Sequence, residues 1–164
     1  MYELTVWITV ILMTVSAVDY VRRAWIRETS PVLATWILAT TMIGLSFWMY
    51  WESPRRSWTA NIGVTTAFAN IFTILIGVIA VNVRDGTLRI AFDRVQRWCL
   101  AFGGAVVVFW FLTDQPLVAY ALVQVIGIIA YVATIRRLWR AERSTESLFL
   151  WIAENLSTFL GAWK

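Results

Sequence analysis

Residues 58–83 read WTANIGVTTAFANIFTILIGVIAVNV, a run without a single charged side chain. A bilayer's hydrocarbon core, about 30 Å thick, is crossed by about 20 consecutive, mostly apolar residues in a helix. Further uncharged runs occur at 4–18, 31–51, 98–113, 115–135 and 147–153. Most of these runs are too long for the strands of a membrane barrel and lack their alternating pattern. The sequence therefore predicts an all-α integral membrane protein.

The composition agrees with that class and excludes several kinds of chemistry. The chain is 60% hydrophobic and contains 11 Trp, no His and one Cys, whereas soluble domains are about 45–50% apolar. Without His there is no histidine catalysis, metal ligation or proton relay, and a lone Cys99 excludes an internal disulfide. The sequence also lacks Walker, glycine-rich and nucleophile-elbow motifs. We expect no cofactor, no metal and no enzymatic activity, with a membrane enzyme as the least favoured class.

The distribution of basic residues predicts the topology of six spans, placed over residues 4–25, 31–51, 58–83, 95–113, 116–139 and 147–163. Apart from Arg55, Arg56 and Lys164, all Lys and Arg lie in the first, third and fifth loops: Arg22, Arg23, Arg27, Arg84, Arg89, Arg94, Arg97, Arg136, Arg137, Arg140 and Arg143. The positive-inside rule places those loops in the cytoplasm and the N-terminus outside the plasma or inner membrane. The net charge of +4 thus indicates topology, not a nucleic-acid partner.

Two segments of the chain resemble each other. DYVRRAWIRETSPVLATW (19–36) aligns with ATIRRLWRAERSTESLFLW (133–151), which has one extra residue. The alignment pairs Arg22 with Arg136, Arg23 with Arg137, Trp25 with Trp139 and Trp36 with Trp151. A chance match is the alternative, but the shared spacing extends over a helix, a loop and the next helix. Both copies begin outside, so the repeat is parallel, which is one of the two common plans of transporters.

The segment 127–151, GIIAYVATIRRLWRAERSTESLFLW, resembles the first helix, basic loop and second helix of the SWEET and PQ-loop transporter superfamily. Loops of that family carry a basic residue followed by Ser-Thr-Glu, here Arg143-Ser144-Thr145-Glu146. The resemblance implies two parallel triple-helix bundles joined by a linking helix. Residues 1–83 would form the first repeat, 84–115 the third loop and linking helix, and 116–164 an incomplete second repeat.

The chain departs from the family in two respects. The Pro-Gln pair that names the PQ-loop group would fall at Asp19-Tyr20 and Ala133-Thr134, so both repeats lack it. The family's seventh helix is missing as well, because the chain stops at Lys164. We expect either a fragment or a protein that completes its second bundle by pairing with another chain. An uncharacterised bacterial branch of the superfamily, or the nicotinamide riboside transporter family with the same plan, is an alternative.

Glu154 is the one charged residue within the sixth predicted span. An acid at the centre of a membrane helix costs about 2.5–3.5 kcal/mol on insertion scales, so such residues usually face the bundle interior. At helical spacing its face carries polar, small and aromatic residues: Ser147, Trp151, Thr158 and Gly161. Since burial disfavours the charged form of a carboxyl group, Glu154 is the candidate for proton coupling. Its counterpart in the repeat alignment is Ala39.

The other candidate ligands are polar and aromatic residues on the predicted spans. Asn70 could match the Asn that SWEET-type transporters place against the substrate, and the paired Trp36 and Trp151 could sandwich a planar or sugar-like solute. The remaining candidates are Gln124, Tyr131, Asn155 and Thr158. Polar groups also bond across membrane helices for structural reasons, at about 0.6–2 kcal/mol each. Asp19, three residues before Arg22, is predicted to form a local ion pair or to act as a gate.

These features predict a transporter that binds a small, neutral or weakly charged solute between two bundles and opens to each side alternately. The alternative is a non-transporting structural or regulatory membrane subunit that uses the same bundle as an interaction platform. The absent prolines and seventh helix favour that alternative. The expected partners are a solute and membrane lipid. The sequence leaves open whether the protein forms a homo-oligomer.

Overall fold

The computed structural model describes residues 2–52, 62–87, 92, 94–113, 116–140 and 147–162. These residues form six helices: α1 (Tyr2–Trp25), α2 (Leu33–Glu52), α3 (Ile62–Arg84), α4 (Arg94–Leu112), α5 (Pro116–Arg140) and α6 (Leu148–Ala162). No strand occurs within the described ranges. The prediction of an all-α protein is therefore confirmed.

Four helices are long and apolar enough to cross a membrane, over Leu4–Trp25, Leu33–Glu52, Gly63–Arg84 and Arg94–Leu112. Their outer faces carry large apolar side chains; on α4, Trp98, Phe111 and Leu112 are 69%, 69% and 77% exposed. Soluble monomers rarely expose large contiguous apolar patches, whereas lipid accepts such faces. The described apolar stretch of α5 is shorter, and the 15 residues of α6 rise only about 22 Å. The assignment of the chain as a membrane protein therefore depends on helices α1 to α4.

The helices pack in a pattern that relates the two ends of the chain. Helix α3 packs against both α1 and α2, and α4 packs against α5 and, less extensively, α2. The ends of the chain meet where α1 packs against α6 and α2 packs against α5. Exchanging α1 with α5 and α2 with α6 converts one of these contacts into the other, as a two-fold axis between parallel repeats would do. The repeat plan itself stays a prediction.

Helix α2 is central because it contributes to both apolar clusters of the described residues. Leu33 and Trp36 belong to a cluster with buried side chains of α1, α3 and α6. Leu38 and Leu45 belong to a second cluster with buried side chains of α4 and α5. One helix therefore joins the packing of the two ends of the chain.

The contact between α1 and α3 depends on a glycine. A β-carbon added at Gly77 would lie 2.6 and 2.7 Å from the two methyl groups of Val21 and 3.2 Å from its β-carbon. A β-branched side chain has little rotamer freedom in a helix, so Val21 cannot easily move away. Gly77 is therefore a close-packing residue, which is a common use of glycine between membrane helices.

A cluster of charges fastens the loop between α1 and α2 to the end of α3. The Asp85 Oδ1 accepts hydrogen bonds from Arg84 Nε and Arg27 Nη2, both at 2.9 Å. The Arg84 Nη1 donates to the Trp25 carbonyl at 2.7 Å, and its guanidinium lies 4.5 Å from the Trp25 ring centroid. Hydrogen bonds from Arg84 and then Arg27 lower the pKa of Asp85 to about 2. Arg27 has a φ of 63°, an uncommon backbone conformation for a non-glycine residue.

Candidate functional site

A cavity of about 170 Å³ lies where α2, α3, α5 and α6 meet. Its lining combines three aromatic residues, a carboxylate and an amide: Trp36, Tyr131, Trp151, Glu154 and Asn155. The rest of the lining is apolar or small apart from one hydroxyl: Thr35, Ala39, Met42, Ile43, Ile71, Gly127, Ala130 and Leu150. An apolar cavity of about 150 Å³ holds a benzene molecule, so this volume suits a small organic solute.

The cavity lies towards one end of the helical bundle. At a rise of about 1.5 Å per residue, Trp36 lies about 4.5 Å along α2 from Leu33, and Ile43 lies about 15 Å along it. On α6, the lining residues Leu150 to Asn155 all fall within about 11 Å of the first residue, Leu148. The cavity therefore extends from the starts of α2 and α6 towards the middle of the bundle.

Each lining tryptophan contacts a tyrosine of the preceding helix. Trp36 is buried, its Nε1 donates to the Tyr20 hydroxyl at 3.2 Å, and the two ring centroids are 5.0 Å apart. The Trp151 ring centroid lies 5.4 Å from that of Tyr131, at an interplanar angle of 44°. Tilted pairs at these distances are favourable for aromatic quadrupoles. Both indole rings are thus held in place by protein contacts.

Glu154 supplies the carboxyl group of the described cavity lining. Its partly buried side chain lies one turn beyond Trp151 on α6, on the cavity side. The neighbouring Asn155 is exposed, and its Nδ2 donates to the Trp151 carbonyl at 2.7 Å. Among the described residues that line the cavity, none is Lys or Arg.

The structure brings five of the predicted ligands to this cavity and leaves two elsewhere. Asn70 is buried on α3 next to the lining residue Ile71 but is not itself part of the lining, and its Nδ2 has no hydrogen-bond partner among the described residues. Gln124 is exposed on α5 and does not line the cavity either. The side chain of Thr158 lies outside the described residues. The roles of all three as solute ligands stay predictions.

Asp19 forms the local ion pair that was one of its two predicted roles. Arg23 Nε donates to Asp19 Oδ2 at 2.7 Å, and Arg22 Nη1 lies 3.9 Å from Asp19 Oδ1. Asp19 is not part of the cavity lining. Nothing in this geometry requires a gate, and that role stays a prediction.

Sequence reasoning missed two contacts beside the cavity that join α2 to α5. The hydroxyls of Thr35 and Thr134 form a buried hydrogen bond of 2.8 Å. A β-carbon added at Gly127 would lie 2.6 Å from the Met42 sulfur. Threonine hydroxyls often bond to their own helix, and those of Thr9 and Thr41 do so here. The sequence therefore carried no signal that Thr35 would bond to another helix.

Residues paired by the repeat alignment meet at the cavity. Trp36 and its counterpart Trp151 both line it, and so do Ala39 and its counterpart Glu154. The lining is therefore similar in position but different in chemistry on α2 and α6, since only the α6 position carries a carboxylate.

Comparison with known proteins finds no matching family model, no matching curated protein and no matching solved structure. The resemblance to the SWEET and PQ-loop superfamily therefore stays a prediction. In the part of the chain that the structure describes, no group of three or more His, Cys, Asp or Glu side chains could hold a metal ion.

Proposed function

We propose that this protein is a membrane transporter that carries a small solute through the cavity between α2, α3, α5 and α6. The observation that carries the proposal is that both halves of the chain contribute residues to the cavity lining. Trp36 and Ile71 come from the N-terminal half of the chain, and Tyr131 and Glu154 come from the C-terminal half. A site between two halves changes its access when the halves move relative to each other.

The contacts between the halves suit such a movement. The α1–α6 and α2–α5 contacts are related by the same exchange of helices, so rotation about an axis between them would open one end of the bundle and close the other. Near the cavity, α2 and α5 are joined by the Thr35–Thr134 hydrogen bond and by the approach of Met42 to Gly127. A single hydrogen bond between membrane helices contributes about 0.6 kcal/mol on average, which is small enough to be made and broken in a cycle.

The proposed topology has six spans, with the N-terminus outside and the first, third and fifth loops in the cytoplasm. The concentration of Arg residues in those loops supports this orientation. In that orientation the cavity lies nearer the cytoplasmic side, because α2 and α6 begin there. The proposed two-bundle plan, like that of SWEET transporters, is supported by the repeat and by the exchange symmetry of the helix contacts.

We assign proton coupling to Glu154. A carboxylate that lines a cavity can exchange a proton with water there, and a solute bound beside it changes its affinity for that proton. Uptake by the parent protein is then expected to depend on an imposed proton gradient. The Glu154→Gln variant, tested at saturating solute, is expected to exchange solute across the membrane without accumulating it.

Transport itself is tested by reconstituting the full chain in liposomes and measuring uptake of a panel of labelled small solutes. Ala39→Phe places a ring in the cavity and is expected to abolish uptake. Ala105→Phe, at an exposed position of α4, is the matched control and is expected to retain it. Size-exclusion chromatography and circular dichroism establish that both variants are folded. If no solute enters faster than into protein-free liposomes, the non-transporting membrane subunit is the better assignment.

A further inference from the structure

We propose that the cavity selects a small organic cation, held between the Glu154 carboxylate and the aromatic rings of Trp151 and Tyr131. This inference rests on the proposed function, because it names the class of solute that the same cavity takes. It narrows the solute to one sign of charge and one chemical type.

The charge of the lining favours a cation. Glu154 supplies a carboxylate, and the described lining residues include no Lys or Arg. Electrostatic interactions are strong where water is scarce, and the effective dielectric constant beside apolar side chains is far below that of water. A cation is attracted to this carboxylate and an anion is repelled by it.

The aromatic residues add a second preference for positive charge. Trp36, Tyr131 and Trp151 line the same cavity as Glu154. The face of an aromatic ring is negative, and among the aromatic side chains Trp binds cations best. The tyrosine contacts that hold Trp36 and Trp151 mean that little ordering is required when a ligand binds.

The remaining lining favours an organic cation over an inorganic one. Ca²⁺ and Mg²⁺ require about six or more oxygen ligands, whereas the described lining side chains that carry oxygen are those of Thr35, Tyr131, Glu154 and Asn155. The apolar side chains of Met42 and Ile43 instead suit the methyl or methylene groups of an alkylated amine. A quaternary or tertiary ammonium ion of about benzene size fits the volume, the apolar lining and the charge.

The test compares two molecules of nearly the same shape that differ in charge. Choline is the cation, and 3,3-dimethylbutan-1-ol is its neutral analogue, with carbon in place of nitrogen. Binding of radiolabelled choline to the purified full chain in detergent is measured at equilibrium, and the neutral alcohol is used as competitor. We expect choline to bind and the alcohol to compete at least about tenfold more weakly, a difference of about 1.4 kcal/mol.

Variants locate the binding at the cavity. Glu154→Gln keeps the shape of the side chain and is expected to weaken choline about tenfold or more, to the level of the alcohol. Glu52→Gln removes the same charge at an exposed position at the end of α2 and is expected to leave choline binding unchanged. Trp151→Leu is expected to weaken choline about threefold or more, and Trp48→Leu, at a 56% exposed position, is its control.

The outcomes separate this inference from the proposed function. If choline binds no better than the alcohol, or equally well to Glu154→Gln, the organic-cation assignment is overturned. If liposomes accumulate a neutral solute that choline does not inhibit, transport stands and the assignment of class fails. If choline binds in a Glu154-dependent way but never enters the liposomes, the class of ligand stands and transport fails.

Discussion

The helical hairpins α1–α2 and α5–α6 each place a Tyr–Trp pair near the cavity, but the two pairs are buried to different degrees. Tyr20 and Trp36 are 0% and 6% exposed. Tyr131 is 50% exposed, and its partner Trp151 is only partly buried. Helix α3 packs against both helices of the first hairpin, whereas in the described part of the chain no helix packs in that way against both α5 and α6. The same aromatic pair is therefore part of the core in one hairpin and partly exposed in the other.

The comparison extends to the charged groups of the two hairpins. In the first hairpin, Asp19 is paired with Arg23 within α1, and Arg27 of the loop between α1 and α2 is paired with Asp85, which follows α3. In the second, Glu154 lies in the cavity lining beside Trp151. An acid that is used for structure is placed next to a guanidinium at a helix end. Glu154 is instead placed among aromatic and apolar residues inside the bundle.

The largest expected effect breaks the sealed aromatic pair. Tyr20→Ala removes a fully buried ring and the acceptor of the Trp36 hydrogen bond, and we expect it to destabilise the fold by about 3–5 kcal/mol. Tyr131→Ala, at a half-exposed ring, is expected to cost about 1 kcal/mol. Reversible unfolding of both variants in mixed micelles measures the difference. Equal losses would mean that the two pairs play the same structural role.

Two of the close-packed glycines, Gly77 at the α1–α3 contact and Gly127 at the α2–α5 contact, offer a second contrast. Gly77→Ala drives a β-carbon into the rigid side chain of Val21 and is expected to cost about 1–3 kcal/mol. Gly127→Ala meets the flexible end of Met42, which can rotate away into the cavity, so a cost below about 1 kcal/mol is expected. The same unfolding assay tests both variants. A larger loss at Gly127 would show that the α2–α5 contact, and not the α1–α3 contact, is the rigid one.

The hydrogen bond between Thr35 and Thr134 predicts a measurable coupling between the halves of the chain. A double-mutant cycle with Thr35→Val and Thr134→Val is expected to give a coupling free energy of about 0.6–1.7 kcal/mol. Thr41, whose hydroxyl bonds to its own helix, provides the control when Thr41→Val is combined with Thr134→Val. That pair is expected to be additive within about 0.3–0.5 kcal/mol. If the Thr35→Val and Thr134→Val changes are also additive, the hydrogen bond between the two residues contributes no coupling free energy.

The smallest expected effect concerns the loop between α1 and α2. The pKa of Asp85 is lowered to about 2 by Arg84 and Arg27, while an unfolded Asp titrates near pH 3.9. A lowered folded-state pKa means that the contribution is complete above about pH 4 and is lost as the pH falls towards 2. The melting temperature of the parent should therefore fall over this range more than that of Asp85→Asn. Identical profiles would show that the exposed cluster adds no stability.

Sequence reasoning predicted the helices more completely than it predicted the residues of the cavity. The uncharged runs located the six helices of the described residues, because a charged residue is costly within lipid and marks the end of a run. Glu154 was found by the same argument, since it interrupts an apolar run and shares a helix face with Trp151. Asn70 has a similar polar signature, yet it lies outside the cavity lining. Helical periodicity gives the face of a residue but not which neighbouring helix covers that face.

The sequence by itself determined that this chain is a bundle of apolar helices and that Glu154 is its unusual acid, because the energetic penalty for charge in lipid acts on each residue locally. Only the tertiary structure decided which aromatic pair is sealed and which residues share a cavity. Those outcomes depend on which helices pack side by side, and they arise from contacts between residues far apart in the chain, such as Thr35 with Thr134 and Trp36 with Glu154 around one cavity.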